Sequence, residues 1–184
     1  MAIDSYNSTS VNTEGNKPTF SAVINDFNTF AATATDFFAI QNPVGSGKVI
    51  RITEVRMNGS ATASVLQNMY GYIRTALNTL GTSAAVSIAK HDQNDVAPVA
   101  LALNYTANPT LNGVATLIRG ETFLAPAFAI PTPAPTSIVW PFGVRPSRCP
   151  VIRAGQQFSV SNNGNAVPAG LKVYTTIEWT EENA

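Results

Sequence analysis

Cysteine and histidine are almost missing from this chain: Cys149 and His91 are the single representatives of their types in 184 residues. A lone thiol cannot close an intrachain disulfide, so the fold must rest on burial, and Cys149 reads as a small apolar packing residue. Nor can one thiol and one imidazole build a Cys/His zinc set. Charge is scarce too. Asp, Glu, Lys and Arg make up 12% of the chain, against about 25% in an ordinary soluble domain. Eleven basic residues balance eleven acidic ones, so no field draws the chain to phosphates or anionic lipid, and neither nucleic acid nor a membrane is an expected partner. No run approaches about 20 apolar residues, and the N-terminus, with Asp4 among polar residues, lacks the pattern of a secretory signal. The expectation is a soluble chain made in a cytoplasm.

What is present is apolar and uncharged polar. The chain is 45% hydrophobic, and with so few charges much of its surface must be Ser, Thr, Asn, Gln, Ala and Gly. Interface cores are depleted in charge, so such a surface suits a subunit packed against others. A length of 184 residues suits one domain, which buries roughly 70% of its unfolded surface and needs no metal to fold.

Residues 1–18 carry isolated Ile3, Tyr6 and Val11 among Ser, Thr, Asn and Gly, too few apolar groups for a core element, and read as an extended N-terminal arm. Residues 19–184 read as a single domain. Short runs with period-two alternation and β-branched enrichment predict strands at Thr19–Ile24, Asp36–Gln41, Lys48–Met57, Ser64–Arg74, Val99–Tyr105, Ala115–Phe123, Ser137–Trp140, Val151–Arg153, Gln157–Ser161 and Leu171–Thr180. In the last, Leu171, Val173, Thr175, Ile177 and Trp179 alternate with Lys172, Tyr174, Thr176 and Glu178, so one face should be buried. Turn residues at Pro43–Gly47, Asn58-Gly59, Asn112-Gly113 and Asn162–Asn165 punctuate expected hairpins, and Thr75–Ala97 reads as irregular. With no alternation of strands and helices, the fold class is all-β: an antiparallel β-sandwich, jelly-roll-like, with its arm.

Between Phe123 and Gly143, Pro126, Pro131, Pro133, Pro135 and Pro141 interrupt Phe128, Ile130, Ile138 and Trp140. Prolines block ladder hydrogen bonds, so much of this stretch should be an extended apolar loop at a sheet edge, covered by its own sandwich or by a neighbour. The candidate assembly interface is therefore Ile3, Tyr6 and Val11 of the arm with Phe128, Ile130, Ile138 and Trp140 of the loop.

Catalytic patterns fare poorly. In Gly45-Ser46-Gly47-Lys48 the first glycine of a phosphate loop would fall at Asn42 and its Ser/Thr at Val49. A Gly-x-Ser-x-Gly elbow is absent, and His91 has no nucleophile motif to serve. His91-Asp92-Gln93-Asn94-Asp95 offers oxygen ligands to calcium or, more simply, a turn with local Asx bonds. Paired carboxylates for glycoside hydrolysis would have to come from eleven acids, of which Glu178, Glu181 and Glu182 read as a solvated tail. Tyr70 and Tyr72 alternate onto one strand face, suiting cross-strand packing or a sugar-stacking platform. Sequons at Asn7, Asn58 and Asn104 mean little without a secretory route. No catalytic residue, cofactor or metal is expected.

Five stretches carry a resemblance: Lys48-Val49-Ile50-Arg51-Ile52-Thr53-Glu54-Val55-Arg56, then Arg74-Thr75-Ala76-Leu77-Asn78-Thr79-Leu80-Gly81-Thr82-Ser83, Lys90-His91-Asp92, Tyr105-Thr106-Ala107-Asn108-Pro109-Thr110, and Ile177-Glu178-Trp179-Thr180-Glu181-Glu182. From about Phe37 to Glu182 the chain resembles a family of small structural proteins of tailed bacteriophages and prophages. Val139-Trp140-Pro141-Phe142-Gly143 departs from it where Trp-Asp-Phe-Gly would be expected, losing a carboxylate. The resemblance implies a virion setting and a head-decoration or cement role, with the major capsid protein or other virion proteins as partners and a homo-oligomer, a trimer being favoured. A host-attachment or glycan-binding module of a tail or head fibre is the alternative.

Overall fold

The computed structural model describes residues 17–25, 35–127, 137–143, 149–165, 167–168 and 170–184. Among them there is no helix. Twelve strands form: β1 (Thr19–Ile24), β2 (Asp36–Gln41), β3 (Lys48–Ser60), β4 (Val65–Arg74), β5 (Ser83–Ala85), β6 (Ile88–Lys90), β7 (Leu101–Tyr105), β8 (Ala115–Ala125), β9 (Ile138–Pro141), β10 (Val151–Ile152), β11 (Gln157–Ser161) and β12 (Lys172–Asn183). They make two antiparallel sheets packed as a sandwich. The first runs β6-β1-β12-β3, with β9 and β10 both along the far side of β3, and the second runs β5-β7-β2-β11-β4-β8.

Burial explains the strands. In β12, Val173, Thr175, Ile177 and Trp179 are fully enclosed while Tyr174 on the other face is exposed, the half-buried pattern its alternation predicts. In β3 the enclosed set changes parity, from Ile50 and Ile52 to Val55 and Met57. A bulge causes this: Glu178 pairs with Glu54 and Trp179 with Ile52, leaving Thr53 unpaired. The Thr53 carbonyl then accepts from the Gly143 N–H at 2.9 Å, tying down the chain just after β9. Phe20, Phe38, Ile40, Trp140, Phe158 and Trp179 fill the space between the sheets, each stabilising the fold by about 1.5–3 kcal/mol.

Among the described residues no strand pairs with its immediate successor. The segment Pro43–Gly47 does turn, with left-handed Gly45 and Gly47, but it leads from β2 in one sheet to β3 in the other, and Asn162–Asn165 likewise leads from β11 to β12. Asn112-Gly113 precedes β8, which lies four strands away from β7. The expected hairpins are thus inter-sheet turns or long returns. Asn58-Gly59 is not a turn at all, because it lies inside β3. A Cβ on Gly59 would sit 2.5 Å from the Lys172 carbonyl oxygen and 3.1 Å from the Phe123 ring, so glycine is required there by close packing. The stretch Thr75–Ala97, expected irregular, contributes the three-residue strands β5 and β6 to opposite sheets, too short to leave a periodic signal.

Candidate assembly surfaces and a buried polar cluster

The deepest polar chemistry lies in the second sheet. Asp36 begins β2 with no exposed surface, and the Arg74 guanidinium at the end of β4 donates to both its oxygens, Nε to Oδ2 at 2.7 Å and Nη2 to Oδ1 at 2.8 Å. Asn78 Nδ2 donates to Asp36 Oδ2 at 2.7 Å. Gln157, also fully enclosed, donates to the same oxygen at 3.3 Å and accepts through Oε1 from the Asn78 backbone N–H at 2.7 Å. Gln41 adds a bond to Gln157 and another to the Tyr105 hydroxyl. Burial, reinforced by the Asp36 charge, pushes the Tyr105 hydroxyl up to about 12. Substrate has no access to Asp36 or Gln157 while the sheet is closed. Their chemistry is structural: they fasten the loop after β4 onto the sheet, and every charge is matched by bonds that offset its desolvation.

Two further carboxylates correct the solvated-tail expectation. Glu181 lies in β12 and is buried, accepting from the backbone N–H groups of Val99 at 2.9 Å and Ala100 at 3.1 Å and from Trp179 Nε1 at 3.2 Å. Glu182 binds Arg51, whose Nε donates to it at 2.6 Å, and Lys17 at 3.2 Å. These bonds, Arg51 foremost, hold its carboxyl below the usual range. The Pro18 carbonyl accepts from the Glu181 N–H at 3.3 Å, so Lys17 and Pro18, the last residues of the stretch expected to be an arm, are fixed to the sandwich; residues 1–16 lie outside the described residues.

Of the expected interface residues, Ile3, Tyr6, Val11, Phe128 and Ile130 lie outside the described residues. Ile138 and Trp140 are placed, and not on a surface: they are 2% and 1% exposed, within the core. Their side chains alternate inward from β9, with Trp140 beside Phe142 and over Gly71, where a Cβ would come within 2.9 Å of the indole. Neither is open to a partner. In the His91–Asp95 segment Asp92 makes an Asx turn, the Asn94 N–H donating to its Oδ1 at 2.9 Å, and the Lys90 ammonium donates to the Asp95 backbone carbonyl at 2.6 Å. Tyr70 and Tyr72 lie together with ring centroids 6.4 Å apart, half-buried, Tyr70 over Gly120 and Tyr72 beneath the Arg74 guanidinium.

Among the described residues, what stays open is the β8 side of the sandwich. From Ala115 to Thr122 every residue except Ile118 is exposed, Leu117 at 53%. Between β8 and β9 runs a groove of about 560 Å³ lined by Leu117–Glu121 and Val139–Pro141, and Arg119 of its lining also stands over the Phe142 ring, 5.6 Å from the centroid. The Trp140 indole N–H beside it has no hydrogen-bond partner. Sequence reasoning missed both features. The polar cluster had a faint signal in Asp36, Gln41 and Gln157 bracketing apolar runs; the open edge had none, since β8 reads like any other strand.

No protein-family model matches the chain, and no curated protein or solved structure matches it either.

Proposed function

We propose that this chain is a non-enzymatic structural protein of a tailed-phage particle, a decoration or cement subunit whose partners are the major capsid protein and further copies of itself. One observation carries the reading: the buried charged groups Asp36, Arg74 and Glu181 are consumed by internal bonds, while an apolar-bearing strand of zero net charge, β8, is left exposed. That division suits association through burial rather than turnover of a substrate. The resemblance of the stretches between Phe37 and Glu182 to phage structural proteins supplies the setting.

The strand order supports it as well. With β5, β6 and β7 set aside as an insertion, the sheets run β1-β12-β3-β9 and β2-β11-β4-β8, which we read as the two interleaved Greek keys of a jelly roll, an architecture shared by viral shell and lectin domains. Fold alone does not assign a role. Purified protein added to phage heads stripped of it is expected to rebind, with little salt dependence because no net charge is engaged. Removing Met1–Lys17 should weaken rebinding. Full occupancy by the truncated protein at high dilution would defeat the arm's part in the reading, and failure of the whole chain to bind any head would defeat the reading itself.

The outward Tyr70–Tyr72 pair favours one other role, a glycan-binding module for host attachment. Binding on a glycan array that Tyr72→Ala abolishes would replace the cement reading with that one.

A further inference from the structure

We propose that the open edge at β8 is completed by β8 of a second copy, the two strands running antiparallel about a two-fold axis at Gly120. The inference deepens the assembly reading and rests on it for its biological setting, but the pairing itself concerns this chain alone. Among the outermost strands, β5 and β6 have three residues each, β9 four and β10 two, whereas β8 has eleven. Short edges offer little to a partner; a long one presents a row of N–H and C=O groups, and over Ala115–Thr122 no strand of the described residues pairs with the side of β8 away from β4. This one is exposed on its faces as well, from Ala115 to Thr122 apart from Ile118.

The charges choose the partner and the register. β8 holds two ionised residues, Arg119 and Glu121, one on each side of Gly120. Two residues apart, they share a face of the strand, and Arg119 places that face towards Phe142 and the groove. Neither has an ion-pair partner among the described residues. Antiparallel self-pairing centred on Gly120 sets Arg119 opposite Glu121 of the second copy, and Glu121 opposite its Arg119. Centring on Arg119 or on Glu121 instead sets like charges face to face, which disfavours those registers. A lone inward charge blocks edge pairing; a plus-glycine-minus order is self-complementary and favours the register centred on glycine, which pairs both charges with their opposites. The pairing of β8 with β4 is regular from Arg119 to Ala125, the bulge falling at Ile118, so the centre of the contact is undistorted strand. The resulting contact is isologous and closed, in place of the three-fold arrangement expected from the sequence.

Sedimentation equilibrium of the full chain tests it. The wild type is expected to form a reversible dimer. Arg119→Glu sets Glu against Glu at both positions and Glu121→Arg sets Arg against Arg, so each variant alone should dissociate about tenfold more readily or worse. Mixed in equal amounts, the two should recover association as a heterodimer, because opposite charges then meet at both positions; that recovery also shows both variants are folded. A wild type that is monomeric at every concentration overturns the inference, as do variants that associate as tightly as wild type. Association lost on removing residues 1–16 but indifferent to both substitutions assigns the contact to the arm and overturns it too. A monomer that still decorates phage heads removes the pairing and spares the cement reading, whereas a dimer that binds no head does the reverse.

Discussion

Strands β11 and β8 flank β4 on its two sides, and they could hardly be more unlike. β11 is Gln-Phe-Ser-Val-Ser and is buried at all five positions, whereas β8 contains Leu117, Ile118 and Leu124 and is exposed along most of its length. Composition alone would invert this, since the strand richer in polar groups is the one inside. Gln157 and Ser159 are tolerated at depth because their polar atoms are bonded to Asp36, Asn78, Gln41 and each other. β8 is exposed because nothing in the described chain lies beyond it. Among the described residues this sandwich is finished on one side of β4 and open on the other.

The finished side should break hardest. Asp36→Ala leaves the Arg74 guanidinium buried without its counter-charge and is expected to cost about 3–5 kcal/mol, read from urea unfolding. Gly71 stands between the two strands, paired with Val160 of β11 and Arg119 of β8. Alanine there would meet Trp140 at 2.9 Å and Phe158 at 3.1 Å, and overpacking should cost about 1–3 kcal/mol. Such a loss with the wild-type β8 surface intact would show that the two sides are separable.

Alkali probes the same side more gently. The folded Tyr105 hydroxyl titrates near 12 and its unfolded counterpart near 10. The unfolded chain therefore loses its proton first, so stability is unaffected below pH ~10 and falls as pH rises towards ~12. Tyr105→Phe should flatten that fall in a series of unfolding midpoints against pH. The least effect is expected on the open side: Leu117→Ser should change monomer stability by no more than about 0.5 kcal/mol. A larger loss would mean that β8 is part of the core after all.

The sequence made strand positions legible because alternation, β-branching and Gly/Asn turns are local properties. β1, β2 and β11 fall on their expected residues. Pairing is not local, and because among the described residues no strand bonds to its successor, the turn residues carried no information about neighbours. Asn58-Gly59 misled for a related reason: the glycine answers the Lys172 backbone and the Phe123 ring, far away in sequence. Trp140 and Ile138 looked like a docking surface among prolines, yet β9 is long enough to pair with β3 and turn them inward. Glu181 looked solvated because its partners, Val99 and Ala100, stand about eighty residues upstream.

Amide hydrogen exchange resolved strand by strand, in dilute and in concentrated protein, tests the central claim most directly. β11 should exchange slowly at both concentrations; in β8 the amides of Ala115–Thr122 that point away from β4, about half of them, should exchange rapidly in dilute protein and slow markedly on concentration. Slow exchange of those edge-facing amides in the dilute monomer, or rapid exchange that concentration leaves unchanged, would contradict an edge left open for a second copy.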